Sequence, residues 1–229
     1  MRVLAVVPAR AGSKRIPGKN LRPLGGRPLI AWTLSVAAGA PEVHHVIVST
    51  DSPEIQALAL EHGALSPWLR PAELATDTAS TVDVCLHALD WYEAQHGQVD
   101  GLMLLSPTSP FRTLETIRRG VALFESAPAS CVFAVTTARS HPMWCFRIDR
   151  DRMQPFMREH GLHTRSQDLP PAYIVNGAFY LIAPSRLREA KTFFIDDMVP
   201  LVLDEDQGVD LDTERDWQVA EAMAPRRDR

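Results

Sequence analysis

Val3-Leu4-Ala5-Val6-Val7, followed after Pro8 by Ala9-Arg10-Ala11-Gly12-Ser13-Lys14-Arg15-Ile16-Pro17-Gly18-Lys19-Asn20, is the stretch that decides the fold. The apolar run predicts a buried strand. Its continuation carries two glycines, a serine and four basic residues, so backbone N–H groups and cations stand together where the strand ends. A strand that ends in such a loop predicts an α/β protein with a polyphosphate site.

Two common phosphate-binding motifs do not match this loop. A Walker motif has four residues between its first glycine and its Gly-Lys, whereas five residues separate Gly12 from Gly18, and Asn20 follows Lys19. The G-x-G-x-x-G motif of dinucleotide-binding folds is also missing at this junction. The loop therefore disfavours a P-loop ATPase and a nicotinamide enzyme. A basic surface loop with structural glycines stays open as the alternative.

Charge is distributed unevenly along the chain, although the formal net charge is only −4. Residues 1–41 contain seven lysines or arginines and no acidic residue, whereas residues 195–216 contain nine acidic residues and one arginine. One region suits a polyanion and the other suits a cation. Together they predict nucleotide transfer with a bound divalent metal. A near-neutral chain with 7% aromatic residues disfavours nucleic-acid binding.

Length and composition predict a single domain over residues 1–229, because 45% hydrophobic content is enough for one substantial core. Cys85, Cys131 and Cys145 are widely spaced without a C-x-x-C pair, which predicts reduced, mostly buried thiols. Neither a signal pattern nor an apolar run of membrane-spanning length is visible. We therefore expect a soluble, cytoplasmic protein without a membrane partner.

The hydrophobic pattern alternates between strands and helices, which is typical of a mostly parallel sheet covered by helices. The predicted strands are 3–7, 46–50, 101–105, 130–135, 177–182 and 199–203. The predicted helices are 28–37, 53–62, 81–91 and 114–125. Residues 138–172 break this rhythm and are interpreted as an insertion that forms a lid, a subunit contact or a solvated loop.

Polar residues follow several of the predicted strands, at the edge where ligands collect in α/β sheets. Asp51 follows the second strand, and Asp210 and Asp212 come after the last one. On an extended segment, the spacing of two directs both aspartates to one face, where they can chelate one Mg²⁺. An exposed acidic loop is the simpler alternative for an isolated D-x-D.

Longer motifs give the chain a resemblance to a known family, the N-acylneuraminate cytidylyltransferases, and they cover nearly the whole chain in the family's order. They are the basic loop already quoted, Ser49-Thr50-Asp51, Arg70-Pro71-Ala72-Glu73-Leu74-Ala75-x-Asp77-Thr78-Ala79-Ser80, Pro107-Thr108-Ser109-Pro110-Phe111-Arg112, His141-Pro142, Gln167-Asp168-Leu169-Pro170, Asn176-Gly177-Ala178-Phe179-Tyr180 and Asp210-Leu211-Asp212-Thr213-Glu214.

The resemblance implies a three-layer α/β/α Rossmann-like nucleotidyltransferase fold, a homodimer, and 138–172 as a dimerisation or lid insertion. It implies transfer of CMP from CTP to the anomeric hydroxyl of an acidic nine-carbon (nonulosonic, sialic-type) sugar, with release of pyrophosphate. The catalytic residues that it implies are Arg10, Lys19, Asp210 and Asp212, and the two aspartates would hold Mg²⁺ or Mn²⁺.

The same resemblance assigns binding residues for both substrates. For the nucleotide these are Arg10, Ala11, Gly12, Ser13, Lys19, Asn20, Arg70, Asp77, Ala79, Ser80 and Thr81. For the sugar they are Ser106, Thr108, Arg165, Gln167, Tyr173 and Asn176. An arginine suits the sugar carboxylate through bidentate pairing.

Two departures from the family pattern lie near the sugar site. Ser106 stands where the family commonly has glutamine, and Ile174 stands where it often has arginine. The acceptor is therefore open between N-acetylneuraminate, legionaminate and a deaminated analogue, while Kdo fits less well. Two different functions also stay open for this chain: a catalytically silent CTP or sugar-nucleotide sensor, and a nucleotidyltransferase for a different sugar.

Several further residues have a structural interpretation. Trp32, Trp91 and Tyr180 are expected in the core or at an interface. Asp51 is expected to cap the helix that begins near Pro53. Arg112 follows a proline-rich turn and is interpreted as a surface charge.

Overall fold

The structure, a computed structural model, describes residues 1–128, 130–157 and 162–225 of the 229. The predicted domain and the predicted insertion both include positions outside the described residues, namely 129, 158–161 and 226–229. In the described ranges, strands alternate with helices along most of the chain. The predicted α/β architecture is confirmed.

The strands are β1 Val3–Pro8, β2 Pro23–Leu24, β3 Arg27–Pro28, β4 Val43–Ser49, β5 Gly101–Leu104, β6 Cys131–Thr137, β7 Phe146–Asp149, β8 Arg152–Pro155, β9 Tyr173–Ile182 and β10 Met198–Val202. The α-helices are α1 Leu29–Gly39, α2 Pro53–Glu61, α3 Thr81–His96, α4 Leu114–Ser126, α5 Pro184–Ala190 and α6 Glu214–Met223. Short 3₁₀ helices cover Ala72–Leu74, Pro142–Trp144 and Ser166–Asp168.

The central sheet has six strands in the order β10-β6-β9-β5-β1-β4. β1 pairs in parallel with both β4 and β5, and β10 pairs in parallel with β6. β9 is antiparallel to both of its neighbours, β5 and β6. The five other strands therefore share one direction, and their carboxyl ends meet at one edge of the sheet.

Both faces of the sheet are buried, which explains why β1 is a continuous apolar run. Val3 and Val7 point into one hydrophobic cluster with side chains of α1, α2 and α4. Leu4 and Val6 point into a second cluster with side chains of α3 and α5. Because side chains alternate along a strand, successive residues of β1 point towards opposite helical layers.

A third hydrophobic cluster ties the basic loop to the C-terminal part of the chain. Ile16 and Leu24, from the segment after β1, are fully buried against Leu211 and Trp217. The Arg22 guanidinium lies 4.3 Å from the centre of the Trp217 ring. The basic and acidic regions of the sequence therefore lie side by side.

The structure differs from the sequence-based elements in extent. Helix α3 continues to His96, and β9 begins four residues earlier than predicted, at Tyr173. Helices α5 and α6 and the β7–β8 hairpin were not predicted. Among the cysteines, Cys85 and Cys131 are buried and Cys145 is exposed. In the described part of the chain, no helix is long and apolar enough to cross a membrane.

Candidate functional site

The basic loop folds back on itself at the end of β1. The buried side chain of Asn20 donates from Nδ2 to the Arg10 carbonyl oxygen at 2.9 Å, which joins the two ends of the loop. Between them, fully buried Ile16 anchors the loop, and Gly18 adopts a φ of +63°, a conformation that favours glycine. The loop therefore holds its basic side chains at the carboxyl edge of the sheet.

Asp51 holds the first part of this loop. Its Oδ1 accepts a hydrogen bond from the Ala11 backbone N–H at 2.8 Å. The expected helix cap is Ser52 instead, whose Oγ accepts from the Ile55 N–H at 3.3 Å. The interpretation of Asp51 as the cap of α2 was thus wrong by one residue, because its side chain turns towards the loop.

Arg10 and Lys14 converge on one carboxylate. Arg10 donates to Asp77 Oδ1 at 2.7 Å, and Lys14 Nζ pairs with Asp77 Oδ2. Hydrogen bonds from Lys14 and from Arg10 hold the pKa of Asp77 below its ordinary value. All three side chains are open to solvent, so a polyanion could replace the carboxylate at low cost.

Lys19 joins the basic loop to the two aspartates of the D-x-D. Its side chain is only 12% exposed, and Nζ lies 3.8 Å from Asp212 Oδ1. Nζ also donates to the Leu211 carbonyl oxygen at 2.7 Å. Burial lowers the pKa of Lys19, although the charges of Asp212 and Asp210 oppose that shift.

Asp210 and Asp212 are both exposed, while Leu211 between them is fully buried. This alternation is the one expected of an extended segment, but the two aspartates line different cavities. Although Asp210 is an exposed residue, burial of its carboxyl group raises its pKa, and the charge of Asp212 adds to this effect. A hydrogen bond from the Thr108 hydroxyl counteracts the shift.

Asp212 is fixed by the start of α6. Thr213 Oγ1 accepts from the Asp216 N–H at 3.2 Å, and Asp216 Oδ2 accepts from the Thr213 N–H at 2.7 Å, which forms a capping box. The Asp212 N–H donates to the same Asp216 carboxylate at 3.2 Å. Arg15 pairs with Asp212 Oδ2 at 2.7 Å. A stable helix N-terminus thus presents Asp212 to the basic loop.

A cavity of about 280 Å³ lies between the basic loop and the start of α3. It is lined by predicted nucleotide-binding residues, namely Arg10, Arg70, Asp77, Ala79 and Thr81, together with Pro8, Leu74, Thr76 and Val84. Ser80 lies next to it as the N-cap of α3, where its Oγ accepts from the Val82 N–H. The cavity has the hydroxyl and backbone groups needed to read a base edge.

Arg70 has a largely structural set of contacts in this wall. It is 7% exposed, and its guanidinium donates to the side chain and the carbonyl oxygen of Ser49 at the end of β4. Burial lowers its pKa. Arg70 therefore ties the wall of the cavity to the central sheet.

Two further cavities continue from this one along the basic loop. One, of about 410 Å³, is lined by Arg10, Ser13, Lys14, Arg15, Lys19, Asp77 and Asp212. The other, of about 200 Å³, is lined by Pro8, Arg10, Ser13, Lys19, Asn20, Ser106, Pro107 and Thr108. Most residues predicted to contact phosphate are thus brought together, and Thr108, predicted for the sugar, lines the same cavity as Lys19.

A fourth cavity, of about 280 Å³, lies on the other side of Ser106. Its lining residues are Ser80, Thr81, Val82, Leu104, Ser106, Gly177, Tyr180, Thr192, Phe193 and Phe194. Sequence reasoning missed Phe193 and Phe194, which precede β10 and belong to no quoted motif. Tyr180, expected in the core or at an interface, packs on Phe133 and Phe193 and also lines this cavity.

The other residues predicted to bind the sugar do not line this cavity of their own chain. Arg165 is exposed and pairs with Asp168 at 2.8 Å, and Gln167 belongs to the same short 3₁₀ helix of the insertion. Tyr173 is 53% exposed at the start of β9. Asn176 is buried, and its Oδ1 accepts from the Ala178 N–H at 3.0 Å. None of the four lines the cavities described above.

Comparison with known proteins identifies this arrangement. Residues 4–173 match the model of the family described as Cytidylyltransferase. The chain belongs to the cytidylyltransferase family. The resemblance derived from the motifs is thereby confirmed, and the basic loop lies within the matched range.

Two relatives illustrate the likeness. The CMP-N,N'-diacetyllegionaminic acid synthase of Legionella pneumophila is 37% identical over 227 residues, which cover 97% of this chain and 96% of that protein. The N-acylneuraminate cytidylyltransferase of Escherichia coli is 31% identical over 231 residues, which cover 100% of this chain but only 53% of that longer protein.

The fold has solved counterparts. A CMP:2-keto-3-deoxy-manno-octonic acid synthetase complexed with CTP superposes with a TM-score of 0.74 at 18% identity, covering 97% of this chain and 98% of that one. At this identity the likeness concerns the fold. It agrees with the expected Rossmann-like nucleotidyltransferase architecture.

Proposed function

We propose that this cytidylyltransferase transfers CMP from CTP to the anomeric hydroxyl of a nonulosonic acid and releases pyrophosphate. The observation that carries the proposal is the contact of Lys19 with Asp212 beside the basic loop, where the charge of Asp210 also acts on Lys19. The proposed polyanion and cation sites would thus be adjacent at the carboxyl edge of the sheet. The reaction would take place in the cytoplasm, where CTP is available.

The triphosphate would lie along the basic loop. Arg10 and Lys19 line its cavities together with Ser13, and backbone N–H groups of the loop add donors. These groups would stabilise the charge that develops on the leaving pyrophosphate. The nucleoside would occupy the cavity walled by Arg70, Ala79 and Thr81.

Asp210 and Asp212 fit a hard divalent cation such as Mg²⁺ or Mn²⁺. The raised pKa of Asp210, caused by burial and by the charge of Asp212, marks a carboxylate pair that a cation would stabilise. Among the described residues no group of three or more His, Cys, Asp or Glu side chains could hold a metal. Mg²⁺ commonly binds through one or two carboxylates plus substrate phosphates, so two aspartates suffice. When bound, the ion would supply Lewis-acid stabilisation of phosphoryl oxygens.

The acceptor would occupy the cavity on the other side of Ser106. Its oxygen would form a bond to the α-phosphorus while the bond to the β-phosphate oxygen breaks, pyrophosphate leaves and the hydroxyl proton passes to solvent. The chain's task in this step is to hold both substrates in line. No side chain needs to act as a nucleophile.

We favour an N,N'-diacetylated acid of the legionaminic type as acceptor. The relative at 37% identity carries that substrate in its name, and its alignment spans nearly both chains. Phe193, Phe194 and Tyr180 give the acceptor cavity an apolar wall, which suits acetamido methyl groups. Ser106 leaves more room there than the family's glutamine.

A homodimer would complete the site. In the insertion, Ile148, Met153 and Phe156 are 76%, 66% and 70% exposed on the β7–β8 hairpin and just after it. Large apolar side chains exposed together are typical of an interface. A second copy covering this surface would bring the insertion's Arg165 and Gln167 towards a neighbouring acceptor cavity. Phe156→Asp should then yield a monomer by light scattering, whereas an unchanged mass would refute this contact.

The direct test is pyrophosphate release from the purified chain with CTP and Mg²⁺, over a panel of N,N'-diacetyllegionaminic, pseudaminic, N-acetylneuraminic and deaminated acids and Kdo. We expect turnover with at least one nonulosonic acid, the highest kcat/KM with the legionaminic acid, and a CMP-sugar by mass spectrometry. CTP binding without pyrophosphate release across the panel would favour a sensor. Release only with a sugar 1-phosphate would favour a different nucleotidyltransferase.

A further inference from the structure

Arg112 is buried, contrary to the expectation of a surface charge, and it contacts Ser106, which borders two of the cavities. Only 2% of the surface of this residue is exposed to solvent. Burial lowers the pKa of its guanidinium to about 9, so the group is still a cation at neutral pH. Within the described part of the chain, no carboxylate forms an ion pair with it.

Three neutral acceptors surround the guanidinium instead. Nε donates to the Ala178 carbonyl oxygen, one terminal nitrogen donates to Thr33 Oγ1 at 3.1 Å, and the other donates to the Ser106 carbonyl oxygen at 3.0 Å. These acceptors belong to β9, to α1 and to the loop after β5. The planar fork of arginine fixes the angles between its donors, so it sets the three elements relative to one another.

Two of the three elements form walls of the proposed site. Ser106 lines both the cavity shared with Lys19 and the cavity on the acceptor side. Ala178 follows Gly177, whose backbone lines the acceptor cavity. Arg112 therefore links Ser106, which borders both cavities, to the β9 backbone next to Gly177, which lines the proposed acceptor cavity.

The backbone that Arg112 holds on β9 is irregular. Phe133 pairs with Tyr180 and Val135 pairs with Val175, so two positions along β6 correspond to five along β9. In this bulge the Asn176 side chain accepts from the Ala178 N–H, while Arg112 donates to the carbonyl oxygen of the same residue. Bulges commonly redirect backbone at functional sites, but they need local support because ladder hydrogen bonds are lost.

A buried cation without a carboxylate is costly for folding alone, because its desolvation is not offset by an ion pair. We propose that Arg112 is a positioning residue for the transfer reaction: it fixes the Ser106 loop relative to the β9 bulge, and so fixes the spacing between the bound nucleotide and the acceptor. The inference rests on the proposed function. It assigns Arg112 no contact with either substrate.

Positioning has a kinetic signature that a purely structural role lacks. A shift of the two walls would misalign the attacking oxygen and the α-phosphorus, which lowers kcat. Most of the proposed nucleotide contacts come from the loop after β1 and the wall formed by Arg70, Ala79 and Thr81, so CTP affinity should change less. The test measures kcat, both KM values, CTP affinity by calorimetry and the melting temperature for Arg112→Met and Arg112→Lys. Val121→Ala, a truncation in the core of α4, serves as the control for lost stability.

We expect kcat to fall at least about tenfold in both arginine variants, with CTP affinity within about threefold of wild type. Lysine keeps the charge but cannot make the three hydrogen bonds, so it should not restore kcat. Val121→Ala should lower the melting temperature and leave kcat unchanged. A folded Arg112→Met variant with wild-type kcat, or full rescue by lysine, would overturn the inference.

Thr33→Val keeps the test decisive if the arginine variants do not fold. It removes one acceptor of the guanidinium, is close to isosteric and leaves Arg112 in place. We expect kcat to fall about threefold or more with unchanged CTP affinity, and an unchanged kcat would refute the inference. Wild-type protein assayed in parallel separates the two proposals: its silence over the acceptor panel would overturn the proposed function and this inference together.

Discussion

The two edges of the central sheet are built from similar polar groups but hold them differently. At the carboxyl edge, Arg10 and Lys14 pair with Asp77, and Arg15 and Lys19 lie against Asp212. The partners of Asp212 are almost the whole chain apart in sequence, and these pairs face open cavities. Apart from Lys19, which is only 12% exposed, these are exposed ion pairs, which contribute little to stability and exchange readily for a ligand.

At the amino edge, the polar side chains contact one another through ring packing and short hydrogen bonds. His45 lies at the start of β4. The centroid of its ring is 4.5 Å from that of His44 and 5.6 Å from that of His96. His45 Nδ1 lies 2.6 Å from the hydroxyl of fully buried Tyr92, and the Arg2 N–H donates to the Asp100 carboxylate at 2.6 Å. These residues line none of the four cavities described at the carboxyl edge.

The difference separates two uses of polar side chains in one fold. Groups at the carboxyl edge are paired in ways that a triphosphate can replace, whereas groups at the amino edge are satisfied by neighbours in the same corner. Substitutions at the carboxyl edge should therefore change turnover more than stability. Substitutions at the amino edge should do the reverse.

Asp212→Ala should produce the largest loss of activity. It removes one of the two carboxylates proposed to hold the divalent ion, so we expect kcat/KM to fall by about a hundredfold or more. The melting temperature should change little, because the Arg15 and Asp212 side chains are 67% and 52% exposed. Steady-state pyrophosphate release and calorimetric melting measure the two effects.

Asp196→Ala is the matched control for Asp212→Ala. Asp196 is an exposed aspartate of the same acidic region and lines none of the cavities. Its truncation should leave turnover within about twofold of wild type. Equal losses in the two variants would mean that general negative charge, rather than the D-x-D, supports the reaction.

Lys19→Met should have the next largest effect, and Lys14→Met is its counterpart on the same loop. Lys19 is 12% exposed and contacts the aspartate segment, whereas Lys14 is 78% exposed and pairs with Asp77. A buried cation acts on phosphate charge in a lower dielectric, so Lys19→Met should lower kcat/KM about tenfold to a hundredfold. Lys14→Met should cost at most about fivefold. The reverse order in pyrophosphate release would contradict this geometry.

The sequence predicted much of the carboxyl edge because its chemistry is carried by local patterns. The basic loop is one continuous segment after a strand, and the D-x-D spacing predicted the exposed aspartates on either side of buried Leu211. Charge counts predicted that the basic and acidic regions act in one reaction, and the structure places the two regions side by side. Their direct contact through Lys19 and Arg15 needed the third hydrophobic cluster, in which Ile16 packs against Leu211.

Features that depend on distant packing were missed. Arg112 looked like a surface charge because its acceptors, Thr33 and Ala178, are 79 and 66 residues away. Phe193 and Phe194 carried no motif, and only the folded chain brings them to the cavity that Ser106 and Tyr180 line. Asp51 was assigned to the wrong helix contact, since its side chain reaches the Ala11 N–H across the edge of the sheet.

Asp77→Asn tests whether the ion pairs at the carboxyl edge compete with the ligand. The asparagine cannot pair with Arg10 and Lys14 as a charge, so both would be released for the triphosphate. We expect the KM for CTP to fall about two- to fivefold with little change in kcat. Asp77 also lines the nucleoside cavity, and a raised KM would mean that its carboxylate binds the nucleotide directly.

His45→Gln at the amino edge should have the smallest effect on turnover and a visible effect on acid stability. Burial lowers the pKa of His45, and the positive charges of His44, His96 and Arg2 act in the same direction. In the unfolded chain histidine has a pKa of about 6.5, so at pH values near and somewhat below 6.5 the unfolded chain binds more protons than the folded chain. The contribution of neutral His45 to the free energy of unfolding is therefore fully present above about pH 6.5 and is lost as the pH falls below that value.

Glutamine cannot titrate in this range but keeps an acceptor for the Tyr92 hydroxyl. Urea unfolding at several pH values should show a shallower loss of stability between about pH 7 and pH 5 for His45→Gln than for wild type. Its kcat at neutral pH should match wild type, because His45 is at the opposite edge from the loop that holds the triphosphate. A loss of turnover with an unchanged pH slope would mean that the two edges are coupled through β4 and β1, whose parallel pairing runs from Val3 and Val43 to Pro8 and Ser49.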